Sequence, residues 1–244
     1  MKNIIIIGGN KGVGFEIVKN CISKGYNVAT CFKENVKNFP IKQSDRFIIQ
    51  SLDLENITEC KKFIEKVIIK WNRIDGIIFY AGITAFSPLT DCSEKVFDDI
   101  FNINLKSTFF ITQAVLNNMI ENGGGSIVFF GTSHMESGEK DRAAYAISKG
   151  GIKILSEHLS RRYAHNKVRS NIIVMGWTPT EGELQLRSSL GISKDKLIKE
   201  ANKYIPMGRM LTVQDPVPAV MHLLSDESSM TTGSILRING GEYI

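Results

Sequence analysis

The sequence predicts an α/β fold: a doubly wound parallel sheet of about seven strands with helices on both faces. Three observations carry this. Short apolar runs alternate with segments of helical periodicity along the chain, as repeated strand–helix–strand units require. The first run, Ile4-Ile5-Ile6-Ile7, is apolar at every position, as a strand covered on both faces must be. Glycine or polar residues follow most of the runs, and strand carboxyl ends are where open α/β sheets bind ligands.

Taken in order, the first run leads into Gly8-Gly9-Asn10-Lys11-Gly12-Val13-Gly14, and residues 15–23 then show helical spacing. Strand, glycine turn and helix in that order let the backbone approach a phosphate, with free N–H groups and the positive end of the helix dipole facing it. Residues 26–32 predict a second strand that leaves through Lys33-Glu34-Asn35, and residues 47–52 a third that ends at Asp53-Leu54. An amphipathic helix over 58–71 precedes a fourth strand over 74–79, which closes on Tyr80-Ala81-Gly82. Residues 93–102 and 105–122 predict two helices with Asn104 at their junction, and Gly123-Gly124-Gly125 stops the second. A fifth strand over 126–130 runs into Gly131-Thr132-Ser133-His134. Asp141 is expected to cap a helix that carries Tyr145 and Lys149 and reaches about His165. Gly150 and Gly151 lie inside that helix. They cost about 1 kcal/mol each relative to Ala, so close packing is expected there. A sixth strand over 168–174 ends at Met175-Gly176-Trp177. Beyond it come a helix near 194–203, a turn at 206–209, a helix from Asp215 to about Leu224 and a last strand over 234–238. No repeat or long linker interrupts the chain, so a single domain over 1–244 is expected.

Composition narrows the function. The chain is 43% hydrophobic and 23% charged with a net charge of +5, which is ordinary globular chemistry. The basic residues are scattered, which argues against a nucleic-acid arm. No stretch of about 18 apolar residues is present, so no membrane span is expected. Cys21, Cys31, Cys60 and Cys92 form no CxxC pair and have no histidine at ligand spacing, so no metal site is expected. Two of them lie in apolar surroundings and read as core thiols. A cytoplasmic location is the expectation.

Tyr145 and Lys149 stand four residues apart, on one face of a helix. A phenol loses its proton near pH ~10, and a nearby ammonium lowers that value, so the pair is a candidate acid/base. Alone, the same spacing fits one half-buried ring and one solvated amine.

The segments together resemble the short-chain dehydrogenase/reductase family, whose relatives include reductases of 3-oxoacyl thioesters. The family's TGxxxGxG is matched from Ile7 to Gly14, and its acidic residue after the third strand by Asp53. Its NNAG falls on Phe79 to Gly82, its asparagine on Asn104 and its YxxxK on Tyr145 to Lys149. Its PGxxxT falls on Met175 to Thr180, and its closing glycines on Gly240 and Gly241. The resemblance implies a Rossmann-like fold and hydride transfer between a nicotinamide and a carbonyl or secondary alcohol. Tyr145 would be the acid/base, Lys149 would tune it and hold the ribose, and Asn104 would order a proton-relay water. Thr132 or the adjacent Ser133 would orient the substrate carbonyl. Cofactor contacts would come from Gly8, Asn10, Lys11, Gly12, Val13, Gly14, Lys33, Asp53, Leu54, Ala81, Gly82, Gly176 and Thr180. The stretch 178–205 would be the substrate lid, and a homodimer or homotetramer would be the assembly.

Departures from the pattern bear on the scaffold. Ile7 replaces a threonine, and Phe79 and Tyr80 replace two asparagines that tie strands to the cofactor loop. Each lost hydrogen bond is worth about 1 kcal/mol, and apolar packing is the available substitute. Phe32 and Lys33 stand where NAD users place a carboxylate, and Lys11 lies in the glycine loop. Two cations suit the 2′-phosphate of NADP(H). Glu34, one residue beyond Lys33, keeps NAD(H) and an NAD-dependent alcohol dehydrogenase in play. A cofactor-binding sensor or interaction protein without turnover is the other alternative.

Overall fold

The computed structural model describes residues 1–137, 141–179, 184, 187–188 and 191–242. Its strands are β1 (Asn3–Ile7), β2 (Asn27–Phe32), β3 (Phe47–Ser51), β4 (Gly76–Phe79), β5 (Gly125–Thr132), β6 (Val168–Met175) and β7 (Ile235–Ile238). Among the described residues they form one seven-stranded sheet in the order β3-β2-β1-β4-β5-β6-β7. Every pairing is parallel. The order reverses between β1 and β4, and a crevice at such a switch point is where doubly wound sheets take their ligands.

The helices cover both faces. They are α1 (Gly12–Ser23), α2 (Ile57–Trp71), α3 (Glu94–Phe101), α4 (Ser107–Glu121), α5 (His134–Ser137), α6 (Ala143–Arg162), α7 (Lys194–Tyr204) and α8 (Val217–Leu224). The all-apolar β1 serves two cores at once. Ile5 and Ile7 pack with α2, α4 and α6 residues such as Phe63, Val115 and Ile152. Ile4 and Ile6 pack with Ile17, Val18 and Val220 of α1 and α8. Fully burying each such side chain contributes roughly 1.5–3 kcal/mol. Cys21, Cys31 and Cys60 are all buried, one core thiol more than the sequence reading expected.

Several boundaries differ from expectation for physical reasons. The two helices around Asn104 are one continuous rod, joined by a π-helical segment over Asn102–Lys106. A π turn widens the helix without breaking it, so no composition signal marks it. Strand β5 extends to Thr132, because its ladder with β6 continues to Met175. Asp141 does not cap α6: the N-cap is Arg142, without a side-chain cap bond. Instead the carbonyl of Asp141 accepts from Ser87 N at 2.8 Å, and Ser87 O accepts from Ala143 N at 2.9 Å. The helix start is thereby held by the loop after β4. A Cβ on Gly151 would press on the Leu105 methyls at 2.8 Å, so that side chain would have to shift, whereas Gly150 faces open space.

Candidate active site

The site begins at the glycine turn. Gly8 has φ 93°, a left-handed value that favours glycine. A Cβ there would lie 2.7 Å from Ala81 N, and one on Gly14 would collide with Gly8 O. The turn therefore lies against the end of β4 and the first turn of α1. Thr30 of β2 stabilises it from below: its Oγ1 donates to Ile6 O at 2.8 Å and accepts from Gly9 N at 3.1 Å. That buried threonine ties the loop to the neighbouring strand although Ile7 carries no hydroxyl. Apolar packing replaces the two asparagines as well: Phe79 stacks on Phe129 at 5.0 Å, and Tyr80 meets Phe130 edge-on at 5.1 Å.

A cleft of about 1000 Å³ runs along the carboxyl ends of the central strands. Of the expected residues, Gly8, Lys11, Gly12, Lys33, Asp53, Leu54, Ala81, Gly82, Thr132, Ser133, Tyr145, Lys149 and Gly176 line it. Asn10, Val13 and Gly14 are not on its wall; Asn10 instead faces the Glu34 carboxylate and helps to lower its pKa. Asn104 is also withdrawn. Its Nδ2 donates to Ile83 O at 2.9 Å and to Ser148 Oγ at 3.2 Å, and its Oδ1 accepts from Ile83 N at 2.8 Å. It thus latches the loop after β4 to α6. Thr180 lies outside the described residues, as does part of the stretch 178–205.

At the reaction end, Lys149 is 6% exposed. Its Nζ donates to Phe130 O at 2.9 Å and lies 5.9 Å from the centroid of the Tyr145 ring. Burial lowers the Lys149 pKa from 10.5 to about 8. Gly82 makes room for this cluster: a Cβ there would lie 3.2 Å from Asn104 Oδ1 and 3.5 Å from Lys149 Nζ. Thr132 ends β5, with Oγ1 accepting from His134 N at 3.4 Å; Ser133 follows in the turn. His134 faces Tyr145, ring centroids 6.5 Å apart.

At the other end, both lysines have acidic neighbours. Lys33 Nζ lies 2.7 Å from Asp53 Oδ2, and Lys11 Nζ 3.4 Å from Glu34 Oε1. The hydrogen bond from Lys33 holds the Asp53 carboxyl below its usual range. Partial burial raises that of Glu34, but bonds from its own backbone N–H, Lys11 and Asn10 outweigh this and leave it lowered.

Sequence reasoning missed Glu242. It is 4% exposed, and its Oε2 accepts from Trp177 N at 3.0 Å, beneath the loop after β6. A Cβ on Gly176 would lie 2.6 Å from that oxygen. The only signal was an acidic residue beside terminal glycines, which predicts exposure. Arg142, Ile83 and Thr84 also line the cleft unannounced. No group of three or more metal-ligating side chains occurs among the described residues. No helix among them is long and apolar enough to cross a membrane.

The arrangement fits a nicotinamide dinucleotide. The start of α1 lacks a side-chain cap from Lys11, the glycines leave room for a close ligand, and Thr84 Oγ1 is buried without a partner on the cleft wall. Fold and cleft together define a Rossmann-type, NAD(P)-binding oxidoreductase. The chain belongs to the short-chain dehydrogenase/reductase family. Residues 7–242 match a family model described as enoyl-(acyl carrier protein) reductase. An acetoacetyl-CoA reductase from Acinetobacter sp. (strain RA3849) is 28% identical, aligned over 100% of this chain and 98% of its own. A 3-oxoacyl-[acyl-carrier-protein] reductase from Thermotoga maritima is 29% identical over the same shares. A short-chain dehydrogenase from Leptospira borgpetersenii, solved with bound NAD+, is 27% identical with a TM-score of 0.86, covering 100% of this chain and 93% of that one.

Proposed function

We propose that the protein is an NADP(H)-dependent reductase of a 3-oxoacyl thioester or related carbonyl, with Tyr145 exchanging the proton at the substrate oxygen. The observation that carries this is the buried Lys149 ammonium beside the Tyr145 ring, on the wall of a cleft that also takes in the glycine turn. When bound, the nicotinamide supplies or accepts the hydride. The chain's own residues do the rest. Gly8, Gly12 and the start of α1 receive the diphosphate, and Asp53 and Leu54 border the adenosine. Ala81, Gly82 and Gly176 border the nicotinamide half, with Thr180 against its carboxamide. Lys149 holds a ribose and, as an ammonium, favours ionisation of Tyr145. Thr132, ahead of Ser133, orients the carbonyl. Asn104 supports the relay by holding the loop at Ile83. The names of the Acinetobacter and Thermotoga relatives support a carbonyl substrate over an enoyl one.

Lys11 and Lys33 support NADP(H), with the 2′-phosphate competing against Glu34 and Asp53 for them. NAD(H) is the second reading, favoured by Glu34 on the cleft wall and by the NAD+ in the Leptospira structure. Exposed Phe97, Phe109 and Ile147 on α3, α4 and α6 support assembly as a homodimer or homotetramer.

The test is fluorescence titration with NADPH and NADH, followed by turnover of acetoacetyl-CoA and crotonyl-CoA. NADPH is expected to bind at least ~10-fold tighter. Tyr145→Phe is expected to lose at least ~100-fold in kcat on acetoacetyl-CoA. Thr132→Val should cost more than Ser133→Ala. Tighter NADH binding would sink the lysine assignment. Equal turnover by native protein and Tyr145→Phe would remove Tyr145 as the acid. Binding without any turnover would favour a cofactor sensor.

A further inference from the structure

We propose that Tyr80 is a cofactor-binding residue whose hydroxyl passes the free end of α1 on to an oxygen of the cofactor's diphosphate. This rests on the dinucleotide reading above. Tyr80 stands where the family pattern has an asparagine; its packing on Phe130 accounts for a ring there but not for a hydroxyl.

Its backbone is fixed, with Tyr80 N donating to Ile7 O at 3.1 Å. Its ring is fixed edge-on against Phe130. It lies along the first turn of α1: a Cβ on Gly14 would meet Tyr80 Cδ1 at 2.8 Å, and one on Gly12 would meet the hydroxyl at 3.5 Å. The Val13 N–H faces the phenol and partly opposes the effect of burial on it. That N–H belongs to the first turn of α1, which has no intrahelical acceptor for it. Lys11 at the N-cap supplies no side-chain cap for it either. Tyr80 therefore covers the open first turn of α1 from a different strand.

A phenol has one proton to donate as well as lone pairs to accept with. A lone pair is what faces the Val13 N–H, and the proton is spent on no described residue. Burial raises the Tyr80 pKa above 10.0, so the proton stays on at neutral pH. Tyr80 also lines the cleft beside Gly8, Lys11 and Gly12. A donor polarised by a helix N-terminus, at the wall of the glycine turn, matches an anionic oxygen. The aromatic residue thus puts a hydroxyl where a bare N–H would otherwise meet the phosphate.

The experiment compares native protein and Tyr80→Phe by calorimetry with NADPH, NADH, ADP and adenosine 2′-monophosphate, alongside the Tm of the free proteins. Phenylalanine keeps the ring packing and removes only the hydroxyl. The proposal expects NADPH, NADH and ADP, which share a diphosphate, to bind ~10-fold weaker to Tyr80→Phe. Adenosine 2′-monophosphate, which has none, should bind both proteins alike. Unchanged or tighter binding of the three diphosphates would overturn the proposal. Equal weakening of all four ligands would overturn it too, because that pattern belongs to a loosened loop. If the native protein binds neither NADPH nor NADH, the dinucleotide reading itself fails, and Tyr80→Phe is not needed to show it.

Discussion

Lys149 is the residue where function most clearly opposes stability. Its ammonium is buried with a carbonyl partner at Phe130 and no carboxylate among the causes acting on it. Desolvation lowers its pKa from 10.5 to about 8. Between those values the unfolded chain holds a proton that the folded chain lacks, so stability rises with pH across that window. Below about 8 both states are protonated and the full penalty remains, on the order of 3 kcal/mol. Lys149→Met is therefore expected to leave the Tm at neutral pH unchanged or raised, while kcat falls at least ~100-fold. A drop of several degrees in thermal melts would show that the ammonium stabilises the fold. The same titration should appear as an alkaline limb near pH 8 in kcat/KM for reduction, because neutral Lys149 no longer favours ionisation of Tyr145.

Single elements bring in groups from far along the chain. The π-helical turn at Asn102–Lys106 places Asn104 between the loop after β4 and Ser148 of α6, so three segments share one amide. Glu242 does the same for the loop after β6. Burial raises its pKa, the Trp177 N–H bond opposes this, and the carboxylate holds the turn that carries Gly176. Trp177 in turn lies under the Arg187 guanidinium at 5.5 Å, so the contact reaches into the segment expected to form the lid. Glu242→Ala should raise the KM for the cofactor ~10-fold or more with a smaller change in kcat. Glu242→Gln keeps an acceptor and should recover most of the loss. Steady-state kinetics on both variants decide it: equal effects of Ala and Gln would show that charge, not the hydrogen bond, is what matters there.

Across the whole molecule, charge divides the cleft into two ends. The glycine-turn end holds two lysine–carboxylate pairs, Lys11 with Glu34 and Lys33 with Asp53, all four side chains substantially exposed. Exposed pairs are worth little and are screened by salt. The reaction end holds a buried ammonium, which salt screens far less. NADPH affinity is thus expected to fall with added salt more steeply than NADH affinity, since only NADPH adds a phosphate at the exposed lysines. Titrations at about 0.05 and 0.5 M salt measure this; parallel slopes would remove the lysines from cofactor choice. The sheet order makes the division possible. β1 and β4 lie side by side, with α1 leaving one and the loop that Asn104 latches leaving the other, so the two ends of one ligand meet different strand ends.

The sequence alone determined the strand–helix alternation, the two-sided burial of β1, the glycine turn and the spacing of Tyr145 and Lys149. These are local signals: periodicity, β-branching and glycine at a turn act over a few residues and survive without knowledge of neighbours. It could not show that Asp141 leaves the capping of α6 to a contact with Ser87, because that contact joins positions more than fifty residues apart. Nor could it show that Thr30 takes over the tie of a missing threonine, or that Tyr80 reaches the first turn of α1 from another strand. Glu242 reads as a solvated acid by composition and is buried only because the chain's end folds under Trp177. Which polar groups end as partners is decided by burial, and burial is a property of the packed whole.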